Sequence, residues 1–185
     1  MLKRVLLLTG APGVGKTTVL IKTTEALKAQ GVSVGGMISR EVREGDARVG
    51  FEIIDLINCR RGWLAHVNQM SGPQVGKYHV KLHDLEAIGA EAIKEAIEKC
   101  AIVAIDEIGP MELYSQKFKQ TVKQALQSEK MVIAVVHAKA KDALIEEAKQ
   151  REDSEILTVT LTNRETLPQK LEKLAKLTIN SQQVT

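Results

Sequence analysis

Aromatic residues and charge of one sign are both scarce in this 185-residue chain. It contains two phenylalanines, two tyrosines and one tryptophan, too few for a surface that stacks many nucleic-acid bases. Its 26 basic and 23 acidic residues leave a net charge of +3 and form no long run of one sign. That charge is too small to indicate nucleic-acid binding. We therefore expect no nucleic-acid partner.

Cysteines and long apolar runs are also few. Cys59 and Cys100 lie far apart without a Cys-x-x-Cys or histidine-rich context, so a disulfide scaffold is excluded and two buried, reduced thiols are expected. A membrane-spanning helix needs about 18 or more consecutive apolar residues, and no such run occurs. The apolar segment at residues 2–8 is short and lacks a cleavage site, which argues against a signal peptide. We expect a cytoplasmic protein with no membrane partner.

The remaining composition is typical of a folded domain. Hydrophobic residues make up 44% of the chain and charged residues 26%, as in soluble proteins with a proper core. A length of 185 residues fits one such domain. We predict a single domain over residues 1–180, with a β-rich insertion at residues 34–81 and a frayed tail at residues 181–185. We expect it to be a monomer.

Patterns of buried strands and helices alternate along the chain. The predicted strands are residues 5–9, 101–105, 131–136 and 156–161, and the predicted helices are residues 16–30, 84–100, 114–128, 139–151 and 166–177. Residues 34–81 instead contain short runs separated by glycine or polar turns, which is typical of antiparallel hairpins. The alternation predicts an α/β fold of three layers, in which a mainly parallel sheet is flanked by helices and carries an antiparallel β-rich insertion.

The segment after the first predicted strand matches the phosphate-binding pattern G-x-x-x-x-G-K-[ST]. The matching residues are Gly10, Ala11, Pro12, Gly13, Val14, Gly15, Lys16 and Thr17. In such a loop, backbone N–H groups and the positive end of the next helix hold the phosphates, and glycines permit their close approach. We expect Lys16 to reach the β- and γ-phosphates, Thr17 to ligate Mg²⁺ and Thr18 to bond the α-phosphate. A turn that only joined a strand to a helix would not require the Lys-Thr pair.

A pair of acidic residues ends the apolar run at residues 101–105. Asp106 follows that strand at the carboxyl edge of the sheet, where ligands bind in open α/β folds, so it is the candidate Walker B ligand of Mg²⁺. Glu107 comes next and is the candidate for orienting the attacking water. Residues 106–109 also fit the D-x-x-G turn of GTP switches, but no N-K-x-D guanine-reading motif follows. This absence argues against a dedicated GTP switch.

Five segments of the chain resemble one family. They are "TGAPGVGKTT", "EVREGDARVGFEIIDL", "VGKYHV", "DEIGPMEL" and "TLTNRETLP", and in this order they resemble the cancer-related nucleoside-triphosphatase family, which also occurs in thermophilic prokaryotes and archaea. The resemblance extends from Lys3 to about Leu177. It implies a Rossmann-like P-loop NTPase fold and slow, Mg²⁺-dependent hydrolysis of ATP, GTP and other nucleoside triphosphates. It also implies that Lys16 and Glu107 matter for this activity.

Other side chains are candidates with simpler alternatives. His137 ends a predicted strand and is either a sensor of the γ-phosphate or an ordinary strand-end histidine. Asn163 and Arg164 follow the last predicted strand, where a loop often packs near the nucleobase, but Asn163 could equally cap the next helix. One arginine of the insertion could neutralise charge in the transition state, although arginines on hairpins are more often solvated. The five candidates are Arg40, Arg43, Arg48, Arg60 and Arg61.

Three functions are compatible with these motifs. The leading one is a nucleoside triphosphatase with broad base specificity that releases a diphosphate and phosphate. A kinase for a small molecule or nucleotide would need an acceptor pocket and a closing lid, which residues 34–81 could supply. A nucleotide-controlled binding module would use hydrolysis only as a timer. No fixed kinase motif is visible, and the sequence does not separate a slow enzyme from a timer.

Overall fold

The computed structural model describes residues 2–182, which form one sheet with helices packed on it. The strands are β1 (Val5–Thr9), β2 (Val34–Glu44), β3 (Ala47–Asp55), β4 (Arg61–His66), β5 (Gln74–Val75), β6 (Tyr78–Val80), β7 (Ile102–Ile108), β8 (Met131–Val136) and β9 (Ser154–Thr158). The helices are α1 (Lys16–Ala29), α2 (Leu82–Asp84), α3 (Glu91–Lys99), α4 (Gln116–Gln127), α5 (Ala143–Gln150) and α6 (Leu167–Gln182). A π-helical segment (Leu85–Ala90) joins α2 to α3, and a 3-10 turn (Glu112–Tyr114) precedes α4.

The nine described strands have the order β5-β6-β4-β3-β2-β7-β8-β1-β9. Strands β2, β7, β8, β1 and β9 are parallel to one another, and β2, β3, β4, β6 and β5 pair in antiparallel fashion. The predicted α/β class, with its parallel sheet, flanking helices and antiparallel region, is therefore confirmed. The antiparallel strands continue the parallel sheet rather than forming a separate layer.

Strand β2 joins the two halves of the sheet. Its first residues, 34–37, pair in parallel with residues 102–105 of β7, and residues 37–44 pair with β3 in a hairpin. The predicted insertion at residues 34–81 therefore begins inside the central sheet. As a result, the middle of β2, just after Met37, passes directly beside the carboxyl end of β7.

Both faces of the parallel strands are buried. In β1, Val5 and Leu7 join one hydrophobic cluster, and Leu6 and Leu8 join the other. The first cluster is covered by α3, α4 and α5, and the second by α1 and α6. A strand that is covered on both sides needs apolar residues at successive positions, which explains its continuous apolar run. This packing on both faces holds the carboxyl ends of the parallel strands in place.

Several predicted elements differ from the structure in their ends. The helix predicted at residues 84–100 is interrupted by the π-helical segment. The prediction missed this segment because apolar periodicity does not show where the backbone hydrogen bonds change from α-helical to π-helical. The helix predicted at residues 139–151 begins only at Ala143, where the Asp142 carboxylate accepts a hydrogen bond from the backbone N–H of Leu144 at 2.9 Å.

Cys100 is buried as expected, but Cys59 is exposed, so its predicted burial is wrong.

The last helix is longer than its sequence pattern indicates. It ends at Gln182 rather than near residue 177, so two of the five residues assigned to a frayed tail are helical. Residues 183–185 of that predicted tail lie outside the described residues. Within residues 2–182, no helix combines the length and the apolar character needed to cross a membrane.

Candidate functional site

The phosphate-binding pattern forms the connection between β1 and α1. Gly10 adopts a φ of 152°, and a side chain there would begin 2.6 Å from the Val159 carbonyl oxygen, so only glycine fits. Gly15 is the N-cap of α1, and that end has neither a side-chain cap nor an acidic residue in its first turn. The first N–H groups of a helix have no partner within the helix and carry partial positive charge. The loop therefore offers donors and positive potential to an anion.

Lys16 and the two threonines occupy the first turn of α1. The Lys16 ammonium donates to the carbonyl oxygens of Gly10 and Ala11, both at 3.3 Å, so it is folded back over the loop. Thr17 is partly buried and its hydroxyl donates to the carboxylate of Asp106. Thr18 is exposed on the other side of the turn. The loop residues 11–13 are exposed, while Val14 is buried and fixes the loop to the core.

Asp106 lies within β7 rather than just after it. The strand extends to Ile108, although its pairing with β8 is interrupted between Ile105 and Ile108. The Asp106 side chain is only 1% exposed, and burial raises the pKa of its carboxyl to about 7 despite hydrogen bonds from the Thr17 hydroxyl and the Ser39 backbone N–H. The nearby charge of Glu107 also raises this pKa, and Lys16 lowers it.

The donor atoms around Asp106 fit a small, hard cation. Its Oδ2 atom is buried without a hydrogen-bond partner among the described residues, which is costly unless another group satisfies it. The Thr17 hydroxyl lies beside the same carboxylate. Mg²⁺ is usually bound by one or two protein oxygens, with water and substrate phosphates completing its coordination. Within residues 2–182 there is no cluster of three or more histidine, cysteine or acidic side chains that could hold a metal.

Glu107 is partly buried and lies against the turn that follows β7. A side chain at Gly109 would begin 2.6 Å from Oε1 of Glu107 and 3.1 Å from its Cγ. The carboxylate of Glu107 therefore packs on the backbone of Gly109. It is close enough to Asp106 to affect the Asp106 pKa, so both predicted acidic residues lie in one region.

His137 follows β8, the strand between β1 and β7. Its backbone N–H donates to the Ile108 carbonyl at 3.1 Å, and its Nδ1 accepts the backbone N–H of Lys139 at 3.3 Å. When the ring is neutral, this second bond places the proton on Nε2. The structure thus places His137 at the same sheet edge as the phosphate loop and Asp106.

Asn163 and Arg164 lie in the loop between β9 and α6. The Asn163 side chain accepts the Thr160 N–H and donates to the Thr158 carbonyl, both at 2.9 Å, so its polar atoms serve the loop itself. Arg164 extends past the phosphate loop, where a side chain on Gly15 would begin 3.6 Å from its Cδ. Its side chain is 42% exposed, and its Nε lies 3.7 Å from the Glu165 carboxylate. Of this pair, Arg164 is the residue that borders the phosphate loop.

Each of the five candidate arginines has a carboxylate partner in the antiparallel half of the sheet. Arg40 and Arg61 share Glu52, at 2.5 and 3.4 Å. Arg43 and Arg48 share Glu41 at 2.6 and 3.0 Å, and Arg60 pairs with Asp55 at 2.9 Å. Of the five, Arg40 directly follows Ser39, whose backbone reaches Asp106.

The sequence analysis did not single out Glu112. This residue is only 3% exposed, and burial together with the nearby charge of Glu107 raises the pKa of its carboxyl well above the usual value. The available signal was an acidic residue within the mainly apolar segment that follows Glu107. The contact from Ser39 was also missed, because a backbone donor leaves no mark in the sequence.

Comparison with known proteins identifies relatives over most of the chain. A family model described as NTPase matches residues 5–172. The nucleoside-triphosphatase THEP1 of Thermofilum pendens is 49% identical over 166 residues, covering 89% of this chain and 91% of that protein. The protein of the same name from Methanosarcina acetivorans is 48% identical over 164 residues, covering 88% of this chain and 91% of that protein.

Two solved structures are similar over nearly their full length. The crystal structure of THEP1 from the hyperthermophile Aquifex aeolicus has a TM-score of 0.81 and 26% identity, over 92% of this chain and 98% of that one. The solution structure of a human cancer-related nucleoside triphosphatase has a TM-score of 0.78 and 36% identity, over 92% of this chain and 96% of that one. The P-loop NTPase fold class predicted from the sequence is confirmed by these matches.

Proposed function

The chain belongs to the NTPase family and is a nucleoside-triphosphatase, and we propose that it uses Mg²⁺ to hydrolyse ATP, GTP and other nucleoside triphosphates to diphosphate and phosphate. The observation that carries this proposal is the buried Asp106 carboxylate, which faces Thr17 of the phosphate loop and whose Oδ2 has no hydrogen-bond partner in the described part of the chain. A strand-end carboxylate in a purely structural role would be expected to have its oxygens satisfied within the fold.

Binding of the triphosphate is assigned to the phosphate loop. The residues proposed to contact the nucleotide there are Gly10, Ala11, Pro12, Gly13, Val14, Gly15, Lys16, Thr17 and Thr18. Among the described residues, the Lys16 ammonium donates to two carbonyl oxygens at 3.3 Å, and a phosphate oxygen can replace these long contacts with a charge-assisted bond. The uncapped end of α1 adds backbone donors and positive potential to the same place.

Thr17 and Asp106 would hold the metal ion. When bound, Mg²⁺ neutralises charge that develops on the phosphate oxygens. The partnerless Oδ2 of Asp106 and the Thr17 hydroxyl supply the hard oxygen donors that this ion prefers.

Glu107 is assigned to the attacking water. Its carboxylate is partly exposed at the edge where the phosphates would end, and it is held against Gly109 rather than consumed in an ion pair. From there it can accept a proton from water and orient the oxygen for in-line attack on the γ-phosphorus. The oxygen of water then forms the new bond to phosphorus while the bond to the diphosphate oxygen breaks.

Broad base specificity is part of the proposal. The Asn163 amide uses its oxygen and one of its two N–H groups within its own loop, and these bonds fix its orientation toward the loop rather than toward a base edge. Arg164 borders the phosphate loop with a partly exposed side chain. A planar guanidinium stacks on any base, because every base presents a π face. This favours contact with the nucleobase without selection of its type.

We also infer that the protein acts as a cytoplasmic monomer without nucleic acid or membrane. All residues with an assigned role lie at one sheet edge of one chain, so no second copy is needed to complete the site. The net charge of +3 and the five aromatic residues give little basis for nucleic-acid binding. One domain over residues 1–180 would contain all of these groups.

A nucleotide panel tests the proposed function against a kinase. Phosphate release is measured with ATP, GTP, CTP and UTP, with and without a set of small hydroxyl compounds and nucleoside monophosphates. We expect release by the protein alone at similar rates for all four. An acceptor that became phosphorylated much faster than water would contradict the hydrolase assignment. A partner that bound one nucleotide state preferentially would support the timer alternative.

Removal of the metal should stop hydrolysis, and loss of its carboxylate ligand should raise the Mg²⁺ concentration that hydrolysis requires. Excess EDTA is expected to abolish phosphate release, and added Mg²⁺ should restore it. In Asp106→Asn the Mg²⁺ concentration for half-maximal rate should rise at least about 10-fold, because one anionic ligand is lost. Asp46→Asn is the control, since Asp46 is exposed at the distant β2–β3 hairpin. Activity in EDTA equal to that in Mg²⁺ would contradict the assignment.

A further inference from the structure

Glu112 is a buried acid for which the proposed mechanism has no role. It begins the 3-10 turn that follows β7 and is only 3% exposed. Its carboxyl accepts hydrogen bonds from the backbone N–H groups of Gly109 and of Glu112 itself. Glu107 and Asp106 are the nearby charges that act on it, and both are negative. Burying a carboxyl next to two others is unfavourable, so its presence requires an explanation.

We propose that Glu112 is a positioning residue that fixes the Gly109 turn and thereby holds the Glu107 carboxylate in place for the attacking water. This inference rests on the proposed function, in which Glu107 orients that water. Glu112 itself touches neither the nucleotide nor the reacting atoms.

A chain of contacts connects Glu112 to Glu107. The Glu112 carboxyl holds the backbone N–H of Gly109, and the Glu107 carboxylate packs on the Cα of that same glycine. Since a side chain at Gly109 would begin only 2.6 Å from Oε1 of Glu107, a small shift of this backbone must move Glu107. The orientation of the proposed water-binding group therefore depends on how firmly Gly109 is held.

Glu112 belongs to a well-anchored part of the fold. The Glu112 carbonyl accepts the backbone N–H of Ser115 at 3.1 Å, and the Ser115 hydroxyl donates to Glu86 at 2.8 Å. The same Ser115 oxygen caps α4 by accepting the Phe118 N–H at 3.1 Å. The turn is thus hydrogen-bonded to α4 and to the π-helical segment. The Glu112 carboxyl in turn restrains the backbone of Gly109.

The test compares three substitutions of Glu112 that separate the reach of the side chain from its ionisable group. Glu112→Gln keeps an oxygen at the same reach and removes the ionisable carboxyl, Glu112→Asp keeps the carboxyl and is too short for the Gly109 N–H, and Glu112→Ala removes both. We expect kcat to fall about 10- to 100-fold in the Asp and Ala variants, since small misplacements of a catalytic group have effects of this size. The Gln variant should stay within about threefold of the parent, because its amide oxygen replaces the bond to Gly109. The nucleotide KM should change less than about twofold in all three.

A double substitution shows whether Glu112 acts through Glu107. In a Glu107→Ala background, Glu112→Asp should have no further effect on kcat, because the group it positions is gone. Multiplicative losses would overturn the proposal, as would an active Asp variant combined with an inactive Gln variant. Failure of the proposed function is distinguishable, since Glu107→Ala alone would then hydrolyse at the parent rate.

Glu86→Gln is the matched control. Glu86 is a carboxylate that accepts the Ser115 hydroxyl of the same structural unit, but without it Ser115 still bonds the Phe118 N–H and the Glu112 carbonyl, so the turn stays linked to α4. Thermal unfolding of this variant is expected to show a small loss of stability with an unchanged kcat. If the Glu112 variants lowered stability in the same way and left kcat unchanged, Glu112 would be only a structural residue and the proposal would be wrong.

Discussion

Glu107→Ala is expected to lower kcat for phosphate release about 100- to 10,000-fold, the range for loss of a general base. Affinity for Mg·ATP should stay within about twofold of the parent, because Glu107 is not among the groups assigned to the phosphates or the metal. Single-turnover phosphate release and a binding titration measure the two quantities on the same protein.

A surface glutamate provides the control for this prediction. Glu98 is exposed on α3, away from the carboxyl edge of the parallel strands, and Glu98→Ala should leave both quantities unchanged. Parent-rate hydrolysis by Glu107→Ala would remove the proposed water-orienting residue. A loss of binding equal to the loss of rate would instead give Glu107 a role in holding the nucleotide.

Lys16→Ala is expected to weaken binding of Mg·ATP and Mg·GTP about 100-fold or more, since charge-assisted bonds to phosphate are among the strongest single contacts. The fold should be little affected, because the contacts of the Lys16 ammonium within residues 2–182 are two long bonds of 3.3 Å to loop carbonyls. Isothermal titration gives the affinities, and circular dichroism verifies the fold.

Lys22 offers a matched control on the same helix. It lies two turns into α1, is exposed and pairs with Glu165 at 2.8 Å, a surface ion pair of small energetic value. Lys22→Ala should bind nucleotide within about twofold of the parent. Equal affinity of the Lys16→Ala variant and the parent for both nucleotides would contradict the assignment of the phosphate loop.

The phosphate loop was predictable because its signals are local. A glycine pattern, a lysine and a hydroxyl in consecutive positions determine the turn, the helix start at Lys16 and the ligand class. Asp106 and Glu107 were predictable for a similar reason, because an apolar strand that ends in acidic residues brings them to a known edge of the sheet. The interruption in the pairing of β7 with β8, between Ile105 and Ile108, could not be predicted from this pattern.

What could not be predicted depends on non-local pairing. Ser39 reaches Asp106 only because β2 runs parallel to β7 before it turns into the antiparallel half, and the periodicity of residues 34–81 indicated hairpins alone. Glu112 appeared to be one more polar residue in a turn, since burial depends on which elements later pack around it. The internal hydrogen bonds of Asn163 likewise depend on the folded loop.

The central claim is that water attacks the γ-phosphorus at the edge formed by the phosphate loop and the acidic pair. Hydrolysis of Mg·ATP in water enriched in ¹⁸O, followed by mass spectrometry of both products, tests it most directly. We expect the label from water in the released phosphate and none in the diphosphate, with no acceptor present. Label in the diphosphate, or no phosphate release without an added acceptor, would contradict the claim.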